Sequence, residues 1–125
     1  MVRGMNPELR PGRFVFCSSA QDVDLSPLIA HAIATFREEE GLSLLLPETI
    51  AEAHGLKASE PMCQITLRVY SDLSGIGLTA AVSAALTEKA IPCNVIAATL
   101  HDHVFVPADK AQAALAALKD LQRRF

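Results

Sequence analysis

Chemistry in this 125-residue chain would have to come from a few short stretches. The first is Asp72 to Thr79, which carries an acid, two glycines and a hydroxyl where a strand pattern gives way to a helix pattern. Backbone N–H groups at a helix start have no intrahelical partner, and that end of a helix favours negative charge. A small carboxylate can therefore be received there. Thr79 can add a hydroxyl donor, and Asp72 can face an ammonium group or cap the loop. The plainer use of Gly75 and Gly77 is a tight turn with close helix–strand packing. A nucleotide loop is not supported, because position 80 is alanine, which breaks G-x-G-x-x-G, and no G-x-x-x-x-G-K occurs.

His101, Asp102 and His103 form the second stretch. In an extended run His101 and His103 share a side while Asp102 alternates away, so the trio is a weak zinc site, and His31 and His54 add no ligand spacing. The plainer reading is a polar hairpin turn whose histidines hydrogen-bond at a ligand or subunit interface. Neither a metal nor a cofactor is expected. Cys93 beside Asn94, with His101 or His103 in the opposing strand, is the one sketch of a thiol nucleophile. Cys93 also follows Pro92 at a strand start, where a small thiol serves packing. Glu38, Glu39 and Glu40 lie in a turn, where three acids must be solvated rather than paired for catalysis. Cys17, Cys63 and Cys93 are far apart and form no CxxC, as suits free buried thiols in a reducing cytoplasm.

The elements that must position these residues follow from the apolar pattern. Half of the residues are hydrophobic, enough for one compact domain or two small units. The formal charge of −3, with no basic stripe, argues against a general nucleic-acid binder. Residues 1 to 11 lack the apolar run of a signal peptide, and no stretch has membrane length, so a cytoplasmic protein with no membrane partner is expected. Residues 1 to 12, with Pro7, Pro11 and Gly12, read as a weakly structured lead-in that Met5 and Leu9 can pin to a core. Strands are expected at Phe14–Ser19, Ile29–Arg37 and Leu42–Leu46, with a short helix as the competing reading of the middle one. A short helix from Pro47 to Gly55 follows, with Leu56 folding back over its last turn. Residues 57 to 61 read as a boundary.

Beyond the boundary, Cys63, Ile65, Leu67 and Val69 alternate with Gln64, Thr66, Arg68 and Tyr70, the clearest strand in the chain. A helix from Ile76 to Lys89 buries Leu78, Val82, Ala85 and Leu86. Strands at Asn94–Ala98 and His103–Val106 follow, then a helix from Ala108 to Leu121. Strand-helix-strand-strand-helix is a ferredoxin-like unit short of its last strand. The first half shows a degenerate copy of the same order, and an N-terminal strand is available to fill the vacant place. The predicted fold class is α+β: tandem ferredoxin-like units, antiparallel sheets with helices packed on one face. The units are placed at 1–60 and 61–125, the second completed by the N-terminal strand.

The runs GLTAAVSAAL (77–86), IPCNVIAA (91–98) and HDHVFVP (101–107) resemble the small bacterial ACT-domain proteins that carry two ACT-like units in one chain. FVFCS (14–18) and IATFREEEGLSLLL (33–46) are similar to the first unit of that group, so the resemblance runs from about Phe14 to Leu121. It implies a non-catalytic, allosteric module of amino-acid metabolism that binds an amino acid between paired units and works as a homodimer. By position in the motif it implies ligand contacts at Asp72, Gly75, Ile76, Gly77, Leu78, Thr79, Asn94, Val95 and Ile96; the polar or interface contacts expected of His101 and His103 rest on the hairpin reading above. The loop from Ser19 to Leu28 has no matching glycine pair, so a second symmetric site in the first unit is not implied. The alternatives are an interaction module that dimerises without ligand and, more remotely, a thiol-dependent enzyme.

Overall fold

A computed structural model of the chain describes residues 2, 4–19, 24–68 and 77–124. In chain order the elements are β1 (Pro7–Leu9), β2 (Phe14–Ser19), α1 (Ser26–Ile29), β3 (Ala34–Glu38), β4 (Gly41–Pro47), α2 (Glu48–Ala53), β5 (Met62–Leu67), α3 (Leu78–Glu88), β6 (Asn94–Ala97), β7 (Asp102–Pro107) and α4 (Ala111–Arg123). A short 3-10 turn, Ala108–Lys110, leads into α4. The chain divides into two compact units: Gly12–Pro61, and Met1–Pro11 together with Met62–Phe125.

In the unit Gly12–Pro61, β4 is paired antiparallel on both sides. It meets β2 with Cys17 opposite Leu44 and Val15 opposite Leu46, and β3 with Thr35 opposite Leu44. Period-2 alternation sends Val15, Cys17, Leu44 and Leu46 to one face, where Leu28 and Ala51 from α1 and α2 close a small core. The sequence suggests a strand from Ile29 to Arg37; the structure instead ends α1 at Ile29 and begins β3 only at Ala34. Pro27 sits in the first turn of α1, Ile29 N–H donates to the Leu25 carbonyl at 2.8 Å, and buried Leu28 anchors the turn. Local proline chemistry and one apolar anchor override the β-branched pattern. Pro47 stands at the N-cap of α2, one place before its first helical residue. At the other end, Gly55 takes φ +62°, and the N–H groups of Gly55 and Leu56 donate to Glu52 (3.1 Å) and Ala51 (3.0 Å). Those two bonds make a Schellman cap, and Leu56 folds back onto the small core.

The second unit has an antiparallel sheet in the order β1-β5-β7-β6. Ile65 faces Val104 and Cys63 faces Val106 across the ladder. Their side of the sheet is covered by both long helices through Leu78, Val82, Ala85 and Leu86 of α3 and Ala111, Ala114, Ala117, Leu118 and Leu121 of α4. Small alanines bring the helices close to the sheet, and every one of these residues is buried. The C-terminal end of α3 has the same Schellman bonds as α2: Ala90 N–H to Thr87 (2.9 Å) and Ile91 N–H to Leu86 (3.0 Å). Here alanine, at φ +57°, occupies the left-handed position that α2 gives to glycine.

Residues 4 to 10 are more ordered than a lead-in. β1 pairs with β5 with Glu8 opposite Thr66, and Arg68 N–H donates to the Met5 carbonyl at 2.8 Å. Met5 is wholly buried in the core of this unit. Asn6 and Gln122 exchange two hydrogen bonds, side-chain amide to Asn6 Oδ1 at 2.9 Å and Asn6 N–H to Gln122 Oε1 at 3.0 Å, which fixes the arm to α4. Asn6 holds φ +44°, a left-handed value that asparagine tolerates better than most residues. Among the described residues no helix is long and apolar enough to cross a membrane.

Candidate functional site

Gly77 stands immediately before α3. It is the N-cap, with φ +103° and ψ −25°, and as a glycine it offers no side chain to cap the helix start. Ala81 N–H donates to the Gly77 carbonyl at 2.9 Å, which is the first intrahelical bond. The amides of Leu78, Thr79 and Ala80 are therefore the ones a helix start leaves without an intrahelical acceptor. Among the described residues a Cβ built on Gly77 meets nothing within 4 Å, so glycine is needed for its backbone angle rather than for space. Asp72, Gly75 and Ile76 lie outside the described residues.

The remaining residues of the proposed ligand site divide by face. The Leu78 side chain is 4% exposed and belongs to the helix–sheet core, so what it presents at the helix start is its amide. Thr79 is exposed beside it. On β6, Val95 is opposite Val104 and packs on the core, while Ile96 is opposite His103 on the other face. Asn94 shares the Ile96 side and its amide reaches Met62 Sδ at 3.8 Å. Consecutive strand residues point to opposite faces, so these three do not form one wall.

The face bearing His103 carries a polar row that the alternation of Gln64, Thr66 and Arg68 hints at but does not assemble. Glu8, Thr66, His103 and Ile96 stand opposite one another across β1, β5, β7 and β6. His103 Nδ1 is 3.1 Å from both Thr66 Oγ1 and Gln64 Nε2. Gln64 can only donate from that nitrogen, so Nδ1 is the acceptor and the ring proton sits on Nε2. Burial lowers the His103 pKa, the neighbouring His101 adds to the shift, and Arg68 and Arg10 push the same way against Asp102. At the row's other end, Glu8 bonds Arg68 and Arg10, each at 2.6 Å. Those two hydrogen bonds hold the Glu8 carboxyl down at about 2.

The metal and thiol readings find no geometry. Asp102 is buried, opposite Leu67 and Ala97, on the face away from His103. Among the described residues no three His, Cys, Asp or Glu side chains converge as a metal set. Cys93 is not opposite either histidine: Asn94 faces Phe105, and His103 faces Ile96. Three residues along a strand separate Cys93 from that position, roughly 10 Å. Burial raises the Cys93 thiol, which favours the protonated, unreactive form.

Comparison with known families gives two matches, both to the ACT domain, over residues 1–63 and 60–120. A search of curated proteins finds no match. Among solved structures, a protein of unknown function from Vibrio cholerae, described as a possible transport protein, is 44% identical and superposes with a TM-score of 0.86, over 97% of this chain and 92% of that one. A protein from Agrobacterium tumefaciens shares 12% identity with a TM-score of 0.78, over 93% of this chain and 87% of its own. The regulatory subunit of aspartate kinase from Thermus flavus shares 11% identity with a TM-score of 0.62, over 92% of this chain and 95% of its own. The last two likenesses are of fold. The antiparallel sheets with helices on one face are the α+β architecture these matches share, and the chain belongs to the ACT-domain family.

Proposed function

We propose that this chain is a non-catalytic regulatory module that binds a free amino acid and works as a homodimer. The observation that carries the reading is the start of α3: a helix end entered through a left-handed glycine that has no side chain of its own to cap it, with the amides of Leu78 and Thr79 next in line. The ligand carboxylate sits on those amides, and its ammonium group meets Asp72 or a backbone carbonyl. Gly75 and Ile76 complete the loop, and Asn94, Val95 and Ile96 contribute from the second strand of the unit. The site belongs to the unit at 61–125 completed by the N-terminal strand, with 1–60 as a degenerate partner. Support comes from ACT-domain membership and from the likeness in fold to a regulatory subunit of aspartate kinase. Ligand binding acts by favouring one arrangement of paired units, which a partner reads.

Calorimetric titration of the twenty amino acids into the purified protein tests this. Binding by one or a few is expected; no heat from any of them at millimolar concentration rejects amino-acid sensing. A second reading, an interaction module that dimerises without ligand, is favoured by the exposed apolar side chains Ile29, Ile33, Phe36 and Leu100. A dimer in that same ligand-free protein, with no titration heat, selects it.

A further inference from the structure

Two adjoining hollows of about 430 and 460 Å³ lie along the outer side of α3 and α4, sharing Lys89, Ala117 and Asp120. Alanines such as Ala113 and Ala117 form the floor, so the groove keeps depth that larger side chains would fill. Its rim carries four cations, Lys89, Lys110, Arg123 and Arg124, against two acids. One of the acids, Asp120, is already paired with Arg123. This local positive excess stands on a chain whose formal charge is −3.

The complementary surface is the β3–β4 hairpin. Phe36 is 73% exposed, the most exposed large hydrophobic side chain among the described residues. One residue on, past the exposed Arg37, come Glu38, Glu39 and Glu40, all exposed at the tip. Phe36 and Glu38 share one face by strand alternation, and the Ser43 hydroxyl donates to Glu38, which holds that carboxylate in place. An aromatic anchor flanked by acids is what an apolar-floored, cation-rimmed groove accepts.

We propose that the β3–β4 hairpin tip of one copy docks into the α3–α4 groove of a second copy. Phe36 lies on the alanine floor and the glutamates meet Lys89 and Arg124. The inference rests on the proposed self-association and places its contact. The chain itself supplies both halves of the match, which is the argument for a second copy over an unrelated acidic protein. Rim charges lie in water, so the contact weakens as salt rises.

Two charge-reversed proteins test it: K89E/R124E, with an acidic groove, and E39K/E40K, with a basic tip. Sedimentation at micromolar concentration should show the wild type self-associated and each variant alone monomeric, with the far-ultraviolet circular dichroism of the wild type confirming that both are folded. Mixed one to one, the variants should reassociate, because the acidic groove then meets the basic tip and the unchanged pair also matches. F36S should weaken association at least tenfold. A monomeric wild type overturns self-association and the docking together. A dimeric wild type with variants that dimerise equally well, or a mixture that stays monomeric, overturns the docking and leaves self-association standing.

Discussion

Thr66 and His103 stand directly opposite each other on β5 and β7, with Oγ1 3.1 Å from Nδ1. The threonine is 3% exposed, and its hydroxyl and the imidazole share the Gln64 amide as a further partner. Protonating His103 would turn its acceptor nitrogen into a second donor, and burial already disfavours the charged ring. The folded pKa lies below the ordinary 6.5, so the unfolded chain binds the extra proton first. The contribution is fully present above pH 6.5 and is lost as the pH falls through the folded value. Urea midpoints should therefore drop on acidification below about 6.5, and H103N should flatten that part of the profile. An unchanged slope in H103N would assign the titration elsewhere.

Met5 tests whether the N-terminal arm belongs to the core. It is wholly buried among the residues that close the helix–sheet layer. M5A should cost about 2–5 kcal/mol in chemical denaturation, the range for emptying a large core position. A loss like that of an exposed site would show that the arm lies on the surface in solution. Glu8, in the same arm, bonds Arg68 and Arg10, which hold its carboxyl at about 2. That contribution is present above the ordinary carboxylate range and fades only as the pH falls toward 2, well below the His103 window.

Gly77 separates ligand binding from folding. Its φ of +103° strains any other residue, while among the described residues a Cβ placed there meets nothing within 4 Å. G77A and G77V should therefore each lose roughly 1–2 kcal/mol or more, about a tenfold weakening if the strain reshapes the helix start that holds the carboxylate, with the β-branched valine the worse of the two. Calorimetry with the best-binding amino acid reads this. Unchanged affinity in a folded variant would move the site off this loop.

Ala90 and Gly55 occupy the same place in two matched helix caps, at φ +57° and +62°. A90G should stabilise the protein by up to about 1 kcal/mol, because relief of the left-handed strain outweighs the added freedom of the unfolded chain. G55A should destabilise by about 1 kcal/mol for the converse reason. Melting temperatures of the two variants should move in opposite directions.

These residues also show what was legible in the sequence. The alternation of Cys63, Ile65 and Leu67 and the apolar stripes of α3 and α4 are local patterns, and the structure keeps them as β5 and the core-facing helix sides. Residues 29 to 37 were not legible as they stand, because one buried leucine after Pro27 turned the start of a strand pattern into a helix end. Glycine at position 77 reads from the sequence as a turn into a helix, and it is the N-cap. The direction of the Leu78 side chain depends on where the helix lies over the sheet, which no local pattern contains. The polar row from Glu8 to His103 needs the register of three strands drawn from distant parts of the chain.

The pairing of β1 with β5 brings Leu9 opposite Ile65 across the whole of residues 12 to 61. About fifty residues must be looped out before that ladder can close, an entropic cost of roughly 3–4 kcal/mol for a flexible chain. Collapse of the Gly12–Pro61 unit draws the ends of that loop together, so it should precede closure. During synthesis the first strand emerges long before its partner and waits through the entire inserted segment. Closure of the β1–β5 ladder should therefore follow collapse of the inserted unit, and M5A should slow refolding at that step while leaving the hairpins of the inserted unit intact.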